Sequence, residues 1–449
     1  MTLYDRFGAP VSSGNRRSVD AFNEAAALML GYFADPLAKI DAALAADPGF
    51  VMGHCFRAGI LLTSSEAGAE PELKRILGIL IDHEPSANDR ERGHIVAIRA
   101  WAERDFYHAS EEYGRVLCDF PRDMVAMQFA HLCDFLLGQT TMLRDRVAQI
   151  MPAWSEADAD YAYLLGMHAF GLEECGHFER AEETGRRAVA LQPKDAWAYH
   201  AVAHVCEMQG RTEEGIRWLT GGADNWSPGN MFAFHNWWHL GLYHLENGDT
   251  AKVLSLYDEA IRPQSSEVAM EMVDGAAMLW RLHLRGVDAG HRWDELAGIY
   301  EGWVEHAYYP FNDAHAMMAF VATGREEMGR RLIAALEAAA AADDSSARMI
   351  REAGLPVIRA LKAFGDGNYP AAYATLLDVR KRAVAFGGSN AQRDLLNLTL
   401  LESAVRAGDA AAALALANER KSAKPASPFV RGLFKRVAAL PGSGMVTAA

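Results

Sequence analysis

Apolar residues along this chain recur three and four positions apart, the spacing that lines one face of an α-helix. No run alternates apolar with polar over the length of a strand, so the pattern predicts helices and no sheet. The helices come in pairs. In Asn236 to Pro263, NWWHLGLYHLENGDTAKVLSLYDEAIRP, one helix runs to a turn at Gly248, and an amphipathic partner follows and ends at a proline. LLGMHAFGLEECGHFERAEETGRRAVALQP turns at Gly176 and stops at Pro193, and HAVAHVCEMQGRTEEGIRWL turns at Gly210. The turn markers Arg104, Gly138, Gly176, Gly210 and Gly248 follow one another at 34, 38, 34 and 38 residues. The four extra residues fall in loops such as Trp226–Gly229, where insertion costs little. Weaker turns are expected near His291, Gly324, Gly367 and Gly408.

A hairpin of this kind exposes an apolar face that only the next hairpin covers, so the array must be long, each repeat packing on its neighbours. Half of the 449 residues are apolar and 23% are charged, enough to build such a continuous core. Residues 1–45 read as an N-terminal helical cap, 46–440 as the repeat array, and 441–449 as a disordered tail.

The net charge of −15, with no basic run of five or more residues, argues against nucleic acid and against anionic membrane surfaces as partners. The same charge serves equally well simply to keep the surface soluble. No apolar run reaches the roughly 18 residues of a membrane span. The opening segment MTLYDRFGAPVSSGNRRSVD lacks the apolar core and cleavage site of a secretory signal. Cys55, Cys118, Cys133, Cys175 and Cys206 are scattered, odd in number and without a CxxC pair. They read as buried thiols of a cytoplasmic protein rather than as disulfides or thiolate zinc ligands.

The hairpins resemble the tetratricopeptide repeat. Trp237, Leu240 and Gly241 match its W-x2-L-G pattern, and His244 stands in the usual tyrosine position. The fold class implied is all-α, a right-handed α-solenoid of tetratricopeptide-like hairpins with a concave groove. Five segments in order, FVMGH (Phe50–His54), HAVAHVCEM (His200–Met208), HNWWHLGLYHLENGD (His235–Asp249), FNDAH (Phe311–His315) and GGSNAQRD (Gly387–Asp394), are similar to the tetratricopeptide repeat protein 38 family. That resemblance implies a repeat protein and brings no reaction with it.

Seven of the sixteen histidines lie between His168 and His244, a sixth of the chain, where chance would place about three. His200 and His204 share a helix face at i and i+4, and Glu207 continues it; His235 and His239 form a second such pair. The first helices of tetratricopeptide hairpins line the concave wall, at positions thirteen, ten, six, three and two residues before the turn. Counted back from Gly210, Gly248 and Gly176, these positions are His200, His204 and Glu207; His235 and Trp238; Glu173 and Glu174. Imidazole with carboxylate is a ligand set for zinc, iron, manganese or nickel. His200, His204, His235 and His239 are therefore candidate ligands of a divalent metal (zinc, iron or manganese), with Glu174 or Glu207 as a catalytic carboxylate. Equally, His200 and His204 are groove residues hydrogen-bonding each other, His239 lies one residue off the register, and His244 is structural.

Further candidates for ligand contacts are Asn236, Trp238, Asp313, His315 and Arg393. Asn312 or Asp313 also reads as a helix N-cap, Ser389 or Asn390 as another, and Arg393 with Asp394 as an ordinary ion pair. Trp237 reads as core, and His54 and His131 as hydrogen-bonded packing residues. There is no GxSxG elbow, Walker loop, GxGxxG after a strand, or HExxH. Two functions remain open. One is a metal-dependent enzyme of hydrolase type or a metal-dependent small-molecule binder. The other is a non-catalytic scaffold clamping a peptide or partner protein in the groove. Clustering of histidine at one level favours the first.

Overall fold

The computed structural model describes residues 2–442; the tail expected over 441–449 falls from residue 443 onward outside them. The described chain is an all-α helical repeat with one addition. Leu3–Tyr4 pairs antiparallel with Pro10–Val11, and a lone bridge joins Phe33 to Asn230. This corrects the expectation of no sheet: strands of two residues are too short to leave an alternating pattern.

The turns stand where the markers put them. Gly138, Gly176, Gly210 and Gly248 all have φ between +65° and +82°, the left-handed conformation that ends a helix most cheaply at glycine. Arg104 adopts it too, at φ +65°, despite its side chain. The next turn centres on Gly286 at φ +73°, and His291 instead begins the helix Arg292–Glu301. Gly324, Gly367 and Gly408 complete the series. All five thiols are free; Cys55, Cys133 and Cys206 are buried as expected, whereas Cys118 is exposed.

Two compact units divide the chain, the first comprising Met1–Val202, Ala223–Ala233 and Asp344–Ser346, the second Ala203–Gly222, Phe234–Asp343 and Ala347–Ala449. In the first, successive hairpins such as Asp89–Ala102 with Phe106–Asp119 and Tyr161–Glu174 with Phe178–Leu191 carry aromatic cores. Phe22 packs edge-on against Phe50 and Phe56, and the Tyr113 ring lies tilted against Phe129. Asn88 starts its helix with a capping box to Glu91. Buried beside it, Arg90 meets Asp5 at 2.8 Å and Asp123 at 2.6 Å, and His94 meets Asp123 at 2.8 Å.

In the second unit the helices Ala233–Glu246, Ala269–Leu284 and Pro310–Thr323 follow as first members of successive hairpins. Gly241, the glycine of the W-x2-L-G motif, lets the next helix close in: a Cβ there would lie 2.8 Å from Met278 Cε. Contacts also skip repeats. Trp280 Nε1 donates to Thr399 Oγ1 at 3.0 Å, and Arg281 donates to the Ala391 carbonyl at 2.8 Å, both on the helix Asn390–Arg406. Within this unit, then, a C-terminal helix lies over Ala269–Leu284. A simple array packing only on neighbours does not describe it.

Candidate metal centre

His204 lies on the helix Ala196–Met208, and His235 and His239 lie one turn apart on Ala233–Glu246. The His204 and His239 rings are 4.5 Å apart between centroids, those of His235 and His239 4.9 Å. One ring nitrogen of each of the three lies within 4.8 Å of the others. In the first unit His200 is ringed by Phe170, Trp197 and Phe232, at 5.3, 5.0 and 5.1 Å.

All four imidazoles are buried, His204 and His239 completely. They were expected on an open concave wall; the i, i+4 register is as read, but the rings are enclosed. Enclosure explains their chemistry. Burial holds the His239 pKa well below the usual imidazole range, and the neighbouring His204 and His235, with Arg281 and Lys424, push it further down. His239 is therefore neutral, the form in which imidazole ligates metal.

Two carboxylates fix the rings. His235 Nδ1 is 2.6 Å from Asp274 Oδ2, and His239 Nδ1 is 3.1 Å from Glu207 Oε2. A carboxylate on Nδ1 is the arrangement that orients a metal-binding histidine and leaves Nε2 as donor atom. Glu207, a candidate catalytic base by sequence, is thus positioned as an orienting group; Lys424 stands 3.9 Å from its other oxygen. Asp274 was missed by sequence. It sits twelve residues before Gly286, outside the groove register, and only the packing of the next helix brings it to His235. Burial raises the Asp274 pKa and His235 draws it back down.

Two nitrogens bound to one ion at about 2.1 Å stand roughly 3.4 Å apart in a tetrahedral shell. The nitrogens lie within 4.8 Å of one another, at most about 1.4 Å beyond that spacing.

The remaining candidates scatter. Trp238, proposed to stack on a ligand, is fully buried: it stacks on His235 at 5.3 Å and lies 5.2 Å beneath the Arg281 guanidinium. Trp237, expected in the core, is only half-buried. Asn236 is fully buried on the same helix. Asn312 and Asp313 lie inside the first turn of Pro310–Thr323, whose N-cap is Tyr309, so neither is the cap. His315 Nδ1 is 2.8 Å from the Phe311 carbonyl, and burial pushes its pKa down to about 4. Ser389 is the cap of the helix that follows it. Arg393 donates to the Gly388 carbonyl and to Asn390 Oδ1, while Asp394 pairs with Arg420 at 2.9 and 3.0 Å, replacing the expected Arg393–Asp394 pair. Glu173 and Glu174 end the helix Tyr161–Glu174 in the first unit and are buried. His54 is hydrogen-bonded to the Pro48 carbonyl, as expected of a packing histidine; His131 has no hydrogen-bond partner on either nitrogen.

No family model matches the chain. Among solved structures it is similar to a chain of the APC/C hetero-tetramer Cut9–Hcn1, at 12% identity, over 95% of this chain and 78% of that one, with a TM-score of 0.39. It is similar also to yeast Tom70, at 12% identity over 95% and 89%, TM-score 0.34. A third is the P58(IPK) TPR domain, at 13% identity over 88% and 99%, TM-score 0.21. By its own tandem helical hairpins, turning every 34 or 38 residues from Arg104 to Gly248, the chain is an all-α helical-repeat protein. No helix among the described residues is long and apolar enough to cross a membrane.

Proposed function

We propose that this protein is a metal-dependent small-molecule binder or hydrolase-type enzyme, related to the tetratricopeptide repeat protein 38 family. His204, His235 and His239 hold one divalent ion, zinc, iron or manganese. The observation that carries this reading is the convergence of three buried rings, two of them with a carboxylate on Nδ1. Such an ion polarises a carbonyl or activates water. The scaffold alternative needs an open face on the first helices to receive a peptide, and in the second unit Asn390–Arg406 already occupies that of Ala269–Leu284.

Metal analysis of protein purified without a histidine tag tests this directly. Wild type is expected to carry close to one divalent ion per chain. His204→Gln, chosen over alanine because the buried ring would leave a cavity, should lose it. Asp274→Asn should weaken metal affinity about 10- to 100-fold. Chelation should remove roughly 3 to 4 kcal/mol of stability where the ion stood at 100 to 1,000 times its dissociation constant. Metal-free wild type, with a melting temperature indifferent to added zinc, iron or manganese, would sink the proposal.

A further inference from the structure

Arg281 is 3% exposed, yet no carboxylate among the described residues lies within ion-pair distance of it. Its guanidinium donates to the carbonyls of Ala277 at 3.1 Å and Ala391 at 2.8 Å and covers the Trp238 ring. The other buried arginines differ: Arg90, Arg146 and Arg262 each hold a carboxylate at 2.7 Å or less. A buried charge without its counterion is strongly unfavourable unless something supplies one.

Arg281 also lines a cavity in the second unit. Its other charged walls are Arg285, Arg420, Lys424, Glu207, Glu246 and Asp394. The carboxylates there are engaged. Asp394 is held by Arg420, Glu246 by Ser427 and, at 3.9 Å, by Arg285, and Glu207 by His239 and Lys424. Asp274, whose charge also acts on Arg281, is taken by His235. Four cations against three carboxylates leave one positive charge over. The cavity gives the centres of water-sized atoms about 30 Å³, room for about two of them.

We propose that this cavity binds a small carboxylate, its two oxygens facing Arg281 with Lys424 and Arg285 at the wall. One negative charge balances the excess. The flat guanidinium fork suits a carboxylate better than a spherical halide. The site shares Glu207 with the metal centre, but none of the three converging histidines lines it.

Titration of the full chain with ¹³C-formate, followed by calorimetry and by formate NMR line broadening, tests the proposal. Saturable one-site binding is expected, displaced by acetate but not by equal concentrations of chloride or phosphate. Arg281→Gln should weaken it at least tenfold. His204→Gln, which removes the metal proposed above, should bind formate like wild type. Should Arg281→Gln fail to fold by circular dichroism, Lys424→Met must show the loss instead, several-fold at least. Absence of saturable binding, displacement by chloride as readily as by acetate, or loss of binding in His204→Gln would each overturn the carboxylate site. The last would place formate on the metal.

Discussion

In the first unit Arg90 sits between Asp5 and Asp123, with His94 on the same Asp123 carboxylate, and every side chain in the set is fully buried. In the second unit three buried histidines pack against one another instead, with a carboxylate on Nδ1 of His235 and another on Nδ1 of His239. The first arrangement closes on itself. Burial alone would raise Asp123, but Arg90 and His94 outweigh it and hold the carboxyl well below its usual range. The second does not close: a proton on His239 is opposed by burial and by the neighbouring His204 and His235, so that ring keeps a nitrogen donor at the place where the three converge. Buried polarity of the first kind is what a fold needs to bury charge; the second kind is what a cation needs to find.

The widest separation between the two regions should come from cutting each once. Arg90→Met leaves two buried carboxylates without their cation and should cost about 3 to 5 kcal/mol in urea denaturation. His204→Gln in chelated protein should cost less than about 2 kcal/mol, since it removes one of three like groups and keeps a polar side chain of similar length. Equal losses from the two would mean that the histidines are structural, and the contrast would be gone.

A pH titration of stability sharpens the contrast from another side. His131 is enclosed by Phe170 and Trp197, and burial first, then Arg146, pushes its pKa down to about 3. The unfolded chain takes up that proton near pH 6.5, while the folded chain refuses it until about 3. Between those values the unfolded state binds more protons, so stability falls as pH drops. By pH 5 His131 accounts for about 2 kcal/mol of the loss, at about 1.4 kcal/mol per unit. Asp123 acts in a lower window. Its depressed pKa gives stability that is complete above the ordinary carboxylate value near 4 and is lost only below it. His131→Phe should therefore lessen the fall between pH 6.5 and 5 by about 2 kcal/mol, with the share of the other buried histidines, His239 and His315, remaining, and leave the steeper acid limb in place. A curve unchanged by His131→Phe would show that the ring already finds a proton partner in the fold.

The repeat was legible because it is local. Glycine at φ > 0 after an apolar-faced helix is a short-range signal, and it put Gly138, Gly176, Gly210 and Gly248 in their turns. The i, i+4 spacing likewise put His235 and His239 on one face. What the register could not supply were contacts between distant residues. Asp274 meets His235 across 39 positions, and Thr399 meets Trp280 across 119, with no pattern in either stretch to announce the partner. The enclosure of the histidines and the full burial of Trp238 follow from such packing. The hairpin at Leu3–Val11 escaped for the opposite reason, since two-residue strands carry too little sequence to show a period.

The smallest expected effect is also the one that asks whether histidine number or histidine convergence matters. His244 belongs to the same dense stretch of sequence, five residues beyond His239, but points to a different place: its Nδ1 is 3.7 Å from the exposed Asp249, and the ring is half-buried. It stands in the repeat's tyrosine position, while the fully buried Tyr243 beside it already donates to the Ala203 carbonyl at 2.5 Å. His244→Tyr thus restores the usual motif residue at a site that carries no buried partner, and should change stability by no more than about 0.5 kcal/mol. Metal content should be unchanged. If this change emptied the metal site as His204→Gln is expected to, metal uptake would track the local count of imidazoles, as loose surface binding does. Indifference to His244→Tyr, alongside loss in His204→Gln, places the binding in the geometry of the three converging rings.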